Sequence, residues 1–290
     1  VNDRLAAPQR IRTAALLTHT RPEETRPAVR AAVAEAERAG CRLVADPDEL
    51  AKHGAAGGIA SLQELGGELP DICLVLGGDG TILKALRRYA GTHVPVFAIN
   101  YGTVGFLAAV DNDELEQGLR LAFAGAFEVL RLPALTVELN GAAQAFNDVA
   151  FMRRADARVA ELSFAVGGQE VGHVRCDGLV AASPAGSTGY NLANQGPILA
   201  WGVEGYVVSF IAPHTLTARP LVVAPGDVLQ VRNAAGREPV DVLIDGERVG
   251  ELASGAETQV GFRDDMASLA QLPQVNFYQR IYEKFGHLGR

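Results

Sequence analysis

Gly77-Gly78-Asp79-Gly80-Thr81 is the segment of the chain best suited to chemistry. It follows an apolar run at 72–76 and precedes Ile82, Leu86 and Tyr89, which are spaced as one face of a helix. That order predicts a buried strand, a glycine turn and a helix N-terminus. Glycines at 77, 78 and 80 let backbone N–H groups approach an anion closely. The positive end of the helix dipole favours negative charge at the same point. Asp79 is the unusual member, because a plain phosphate cradle avoids a like charge. A carboxylate there holds a metal, accepts a proton from a hydroxyl or aligns one, so the pattern points to phosphoryl transfer rather than phosphate binding alone. The segment lacks the Lys-Ser/Thr ending of a P-loop and the spacing of a dinucleotide fingerprint. A tight turn capped by Asp or Thr has the same composition and stands as the structural alternative.

A second dense cluster runs from Arg175 to Tyr190 and holds Asp177, Ser183, Ser187, Thr188, Gly189 and Tyr190. Its hydroxyls both donate and accept hydrogen bonds, and Tyr190 offers a stacking face with a polar tip. These groups suit the ribose and rings of a nucleotide, while a Gly/Ser turn around a satisfied Asp would look alike. His173 and His214 lie near the motifs but lack a partner at metal-ligand spacing, so no residue is predicted to ligate a metal. Trp201 reads as core or interface.

The elements that position these groups fall into two textures. Up to about Pro133, strand-like and helix-like segments alternate: a run at 13–18, a helix with Thr25 as its cap and Pro27 in its first turn closed by Gly40, a strand at 41–45, and a helix capped by Asp46 with Pro47 first. A Gly/Ala-rich connection at 54–67 comes before the 72–76 strand; a strand at 94–99 and a helix built on Leu115, Leu119, Phe123 and Ala126 come later. Alternation of this kind predicts an α/β domain, a parallel sheet with flanking helices. Beyond it, short apolar runs at 135–139, 162–166, 179–182, 207–211, 228–231 and 240–244 are bounded by Gly, Asn, Pro or Asp, with one short helix near 190–195. They predict an all-β, sandwich-like domain. The expected division is 1–133 plus a more helical tail at 269–290, and 134–268.

The composition bounds the function. With 290 residues, 48% of them hydrophobic, the chain can bury a large core. A net charge of −8 argues against nucleic acid as a partner. Cys41, Cys73 and Cys176 are odd in number and scattered, which fits buried thiols in a reducing compartment. No window approaches the apolar length of a membrane span, and the first residues lack a leader-like apolar run, so a cytoplasmic protein is expected.

Taken together and in order, these motifs resemble the bacterial NAD kinase family. Besides 77–81 and 177–190, Asn100-Tyr-Gly-Thr-Val-Gly-Phe-Leu107 is similar to the family's Asn-x-Gly-x-x-Gly-Phe-Leu segment. Asn147-Asp148 resembles its Asn-Glu pair, residues 212–221 its Pro-His-x-Leu-x-x-Arg-Pro stretch, and Asp245-Gly246 its late Asp-Gly. The resemblance implies an α/β domain followed by a β-sandwich-like domain, and transfer of the terminal phosphate of ATP, or of polyphosphate, to the 2′-hydroxyl of the adenosine ribose of NAD. It also implies a divalent metal, Mg²⁺ above all, and a homodimer or homotetramer. By position, Asp79 is implied to meet the ribose hydroxyl, and Gly78, Gly80 and Thr81 to line the phosphate path. Phe106 is implied to border the adenine pocket, Asn147 and Asp148 to hold ribose hydroxyls, and Asp177 to lie near the nicotinamide end. Thr188, Gly189 and Tyr190 are implied to contact the adenine nucleotide, Asp245 to line the site and Arg175 to neutralise phosphate. The chain departs from the family pattern at Asp148 (usually Glu), Ala185 (usually Thr or Ser), Gly189 (usually Ala) and Lys84 (commonly Arg). A sugar or lipid kinase with a similar glycine-Asp turn, and an NAD-binding sensor without catalysis, are the competing readings.

Overall fold

A computed structural model of the chain describes residues 5–6 by their backbone and 10–54, 59, 61–139, 141–234, 238–273 and 275–286 in full. The chain divides into two compact units, residues 1–131 with 267–290, and residues 132–266.

In the first unit the strands are β1 (Leu5–Ala6), β2 (Thr13–Thr18), β3 (Arg42–Ala45), β4 (Gln63–Glu64), β5 (Ile72–Gly77), β6 (Pro95–Asn100) and β7 (Val110–Asp111). Between them lie helices α1 (Pro22–Ala39), α2 (Pro47–His53), α3 (Asp79–Arg88) and α4 (Leu115–Phe123). The parallel sheet runs β4-β3-β2-β5-β6, with β7 against the end of β6. Every side chain of β5 and β6 is buried, as a central strand covered on both faces requires. Leu74, Leu76, Phe97 and Ile99 share one core with Val29 and Ala32 of α1 and Leu119 and Phe123 of α4. The helix after the glycine turn buries Ile82, Leu86 and Tyr89, the face its spacing predicts.

Local chemistry sets most of the ends. Asp46 accepts the Glu49 N–H at 2.8 Å and starts α2 with Pro47 first. Gly40, at φ +66, closes α1. The start of α1 differs from expectation: it begins at Pro22, leaving Thr25 buried within the helix and Pro27 inside it. Arg21 is the N-cap and makes no side-chain capping bond, and Pro22 presets the backbone of the first helical position. Part of the 54–67 connection lies outside the described residues.

Strands β8 (Glu128–Glu138) and β19 (Glu257–Gln271) carry the chain between the units. The second unit adds β9 (Ala142–Ala145), β10 (Asp148–Arg153), β11 (Ala160–Val166), β12 (Gln169–Cys176), β13 (Gly178–Ala182), the short α5 (Tyr190–Ala193), β14 (Tyr206–Ile211), β15 (Leu221–Val223), β16 (Leu229–Asn233), β17 (Val240–Ile244) and β18 (Glu247–Leu252). One antiparallel sheet has the order β15-β14-β13-β10-β17-β18. A second ladder runs β12-β11-β16-β19. Leu162, Phe164 and Val231 of the ladder meet Phe151, Leu179, Val208 and Val242 of the sheet in one core, a sandwich arrangement. The tail is less helical than expected. Residues 269–271 finish β19, with Ser268 and Leu269 pairing in parallel with Pro95 and Val96, and among the described residues of the tail only α6 (Phe277–Phe285) is helical.

Candidate active site

Asp79 is the first residue of α3, and its carboxylate turns toward the loop after β6. One oxygen accepts the Phe106 N–H and the other the Leu107 N–H, each at 3.0 Å. Each oxygen keeps lone-pair capacity for another donor, so the group is oriented without being used up. Close packing accounts for the glycines. A Cβ on Gly77 would lie 2.6 Å from Thr81 Oγ1, and one on Gly102 would lie 2.8 Å from the Gly78 Cα. The turns following β5 and β6 therefore touch backbone to backbone. Gly80 is exposed, and Thr81 is half-buried with its N–H on the Gly78 carbonyl.

The loop after β6 has its own internal ties. Asn100 Oδ1 accepts the Gly102 N–H at 2.8 Å, and its Nδ2 donates to Asp111 Oδ1 at 2.9 Å. Gly105, at φ +64, lies where a Cβ would come within 2.2 Å of that amide. The Phe106 ring is 4% exposed and packs against Phe277 and Phe285 of α6, while its N–H meets Asp79.

In the second unit, Asp245 and Gly246 form the two-residue turn between β17 and β18, at φ +47 and +82, the left-handed pair that an Asp-Gly hairpin favours. The Asp245 carboxylate accepts the N–H groups of Phe146 (3.3 Å), Asn147 (2.7 Å) and Asp148 (3.2 Å). Its own N–H donates to the Asp148 carbonyl at 2.9 Å. Asp148 is buried; loss of water and the charge of Asp245 push its carboxyl up to about 7. Asn147 gives its carbonyl to the Ser183 N–H, while its buried Oδ1 has no protein partner among the described residues.

Asp177 stands between β12 and β13 and pairs with Arg153, Oδ1 to Nε at 2.6 Å. Nothing in the sequence singled out Arg153; only the pairing of β10 with β13 brings it to Asp177. Tyr190, like Met152, Ile211 and Leu243, packs against the buried Ala150, Val180 and Ala182, and its hydroxyl reaches Met152 Sδ at 3.7 Å. Burial raises its pKa, and the negative charges of Asp148 and Asp177 add to the effect. Thr188 is half-buried, its hydroxyl on the Ala185 carbonyl at 3.1 Å, and Gly189 is exposed.

Two hydroxyls that suited a nucleotide do other work. Ser183 Oγ donates to the Phe146 carbonyl and accepts the Gly186 N–H, and Ser187 Oγ is shared among Pro184 and Leu199 backbone groups. Both are wholly buried and pin the loop. Ala185 is buried as well. A Cβ on Gly186 would fall 2.0 Å from the Asn147 carbonyl oxygen, so this loop closes on Asn147 only through glycine. Arg175 lies on an exposed strand and pairs with Glu161 at 3.1 Å. With His173, His214 and Arg219 it lines a cavity of about 560 Å³.

Among the described residues, no three His, Cys, Asp or Glu side chains converge to hold a metal ion. The three cysteines are buried free thiols, and burial pushes Cys41 up to about 11. No described helix is long and apolar enough to cross a membrane.

Comparison with known proteins gives the family. Residues 48–127, which contain Asp79 and the Phe106–Leu107 turn, match the family model of the ATP-NAD kinase N-terminal domain. Residues 146–269, with Asn147, Asp177 and Asp245, match that of the ATP-NAD kinase C-terminal domain. The NAD kinase of Symbiobacterium thermophilum is 35% identical over 257 residues, covering 84% of this chain and 90% of the relative. That of Rhodopirellula baltica is 33% identical over 226 residues, covering 76% and 73%. Two solved structures share the fold. Yeast NADH kinase complexed with NADH has a TM-score of 0.85 at 20% identity, over 97% of this chain and 89% of that one. An Archaeoglobus fulgidus NAD kinase in complex with ATP has a TM-score of 0.73 at 24% identity, over 94% and 97%. Because both domain models match, and because the alignments span most of each relative, this chain belongs to the NAD kinase family.

Proposed function

We propose that this member of the NAD kinase family joins the terminal phosphorus of ATP to the 2′-oxygen of the adenosine ribose of NAD, releasing ADP and giving NADP. The observation that carries the reading is the Asp79 carboxylate, clasped by two backbone N–H groups at the head of α3. A ribose hydroxyl is a weak nucleophile, and its proton leaves late in a loose phosphoryl transition state. An acceptor held in one orientation then matters more than a strong base. Asp79 takes that proton or aligns the hydroxyl with the phosphorus, while the oxygen bridging to the β-phosphate leaves with ADP. Gly78, Gly80 and Thr81 line the phosphate path, where the helix N-terminus offsets the gathered negative charge.

The second unit supplies the groups for the dinucleotide. The unpartnered Asn147 Oδ1 suits a ribose hydroxyl donor, and Asp148 beside it adds a second contact. Thr188, Gly189 and Tyr190 take the adenine side, and Asp177, held by Arg153, the nicotinamide side. Asp245 acts through the three N–H groups it fixes. Arg175 supplies positive charge that a net acidic protein needs near phosphates.

The described residues offer no carboxylate or imidazole cage for a resident divalent ion. Mg²⁺ commonly binds through phosphates and waters with few protein ligands, so it is assigned to the nucleotide substrate. The two family matches remove the sugar- and lipid-kinase alternatives. The test is NADP formation from NAD, ATP and Mg²⁺ by purified protein, with polyphosphate as a second donor. Product formation is expected; tight NAD binding with no turnover on either donor would favour the sensor reading instead.

A further inference from the structure

The Asp79 clasp is itself held from behind. The Phe106–Leu107 peptide donates its N–H to Asp79 at 3.0 Å, and its carbonyl accepts Arg280 Nη1 of α6 at 2.7 Å. The next carbonyl, that of Leu107, accepts Gln271 Nε2 at 2.9 Å, and Gln271 Oε1 accepts Arg280 Nη2 at 3.1 Å. Arg280 Nη1 also donates to the Ala108 carbonyl. All these groups belong to the first unit. The carbonyls of three consecutive residues, 106 to 108, are thus gripped by a planar guanidinium and a carboxamide. The N–H groups of the first two, Phe106 and Leu107, face the carboxylate.

The investment in this contact is large. Arg280 is 5% exposed and Gln271 1%, and burial lowers the Arg280 pKa. An apolar side chain would fill the space at lower desolvation cost. What the guanidinium adds is geometry, a rigid fork of donors matched to carbonyls two residues apart. Its charge also polarises the peptide that bridges it to Asp79. A second tie lies nearby. Lys284 pairs with Asp111 at 3.0 Å, Asp111 accepts Asn100 Nδ2, and Asn100 accepts the Gly102 N–H. Helix α6 therefore grips both ends of the loop that orients Asp79.

We propose that Arg280 and Gln271 are positioning residues for phosphoryl transfer, acting on Asp79 through the Phe106–Leu107 peptide. The proposal rests on Asp79 being the group that meets the ribose hydroxyl. It assigns a role in catalysis to the C-terminal helix, which touches no substrate in this scheme.

The test uses the full chain with NAD and Mg–ATP. Arg280→Met is expected to lower kcat about 10²-fold, the scale of a misplaced catalytic group. KM for each substrate should stay within about threefold, because bound substrate still meets its other contacts. Arg280→Lys should recover part of the loss. Combined with Asp79→Asn, Arg280→Met should cost no further rate, because its effect runs through the missing carboxylate. Amide hydrogen exchange supplies a readout independent of activity. The Phe106 and Leu107 amides should exchange faster in Arg280→Met, while Leu74 and Val75 of β5 stay protected. Multiplying losses in the double variant, or an unchanged kcat in a folded Arg280→Met protein, would overturn the proposal. So would a loss of protection spread evenly over β5. Should Arg280→Met not fold, the neutral, similar-sized Gln271→Leu carries the same comparisons, and wild-type kcat with wild-type exchange at Leu107 in that variant would also overturn it. A wild-type protein that makes no NADP defeats the underlying reading instead, and the exchange measurement still reports on the clasp.

Discussion

At the scale of single residues, carboxylates held by backbone differ from one that is merely buried. Asp79 and Asp245 each accept backbone N–H groups, whereas Asp148 is buried beside Asp245 and its carboxyl is pushed up to about 7. For Asp79 the expected outcome of Asp79→Asn is a kcat lower by roughly 10²–10⁴-fold, the range for removing a positioned acid–base group. The amide matches the carboxylate in size but keeps an acceptor for only one of the two N–H groups, so the turn is expected to shift locally while KM for NAD moves by only a few-fold; steady-state kinetics of the two proteins decides it. For Asp148 the sign follows from the raised pKa. Below about pH 4 the carboxyl is neutral in folded and unfolded chains alike, and no penalty exists. As pH rises toward 7 the unfolded chain ionises and the folded one resists, so stability falls until both are charged. Asp148→Asn should therefore melt higher than the parent at pH 8, with the gap closing toward pH 4. Thermal unfolding of both proteins across that range checks it, and equal gaps at both ends would refute it.

At the scale of elements, positions that carry no functional group decide whether the functional ones meet. Gly186 lets the 183–189 loop close on Asn147, since a Cβ would lie 2.0 Å from a backbone oxygen that has no freedom to withdraw. Gly186→Ala is expected to cost about 1–3 kcal/mol of stability by overpacking, or more if the loop cannot shift. It should also weaken NAD binding, because the displaced stretch carries Thr188 and closes on Asn147. Denaturant unfolding and calorimetric titration with NAD would measure the two effects. The β5–α3 unit was legible from the sequence because a buried apolar run, a glycine turn and a helical face are all local patterns. The start of α1 was not, since Thr25 and Pro22 both make plausible first turns and packing chooses between them. Residues 269–271 read as helix in isolation and became strand because β6 offers a parallel edge.

At the scale of the whole molecule, family membership and the resemblance it extends carry an expectation of self-association. Sedimentation equilibrium should give a mass of two or four chains, and a monomer at micromolar concentration would contradict it. NAD binding should also stabilise the chain as a whole. At a hundred times its Kd a ligand that binds only the folded state adds about 2.7 kcal/mol, readable as a rise in melting temperature. At one NAD concentration for both proteins, the gain should shrink in Arg175→Ala, because a chain of net charge −8 depends on local backbone dipoles and cations to gather phosphates.

The sequence by itself determined the fold class and the family, because both are written in short-range signals: alternating periodicities, glycine-rich turns, and ordered motifs from residue 77 to 246. It also marked Asp79, whose charge stands out in a phosphate-binding context. Tertiary structure alone decided how that carboxylate is held. The N–H groups of Phe106 and Leu107 lie more than twenty-five positions away, and the Arg280 that grips their peptide lies 174 from Phe106. It likewise packed the Phe106 ring against α6, paired Arg153 with Asp177, and made Ser183 and Ser187 loop pins. The physical reason is common to all of these. A hydrogen bond to backbone depends on where two segments meet in space, and backbone groups are the same at every position, so no residue type announces them.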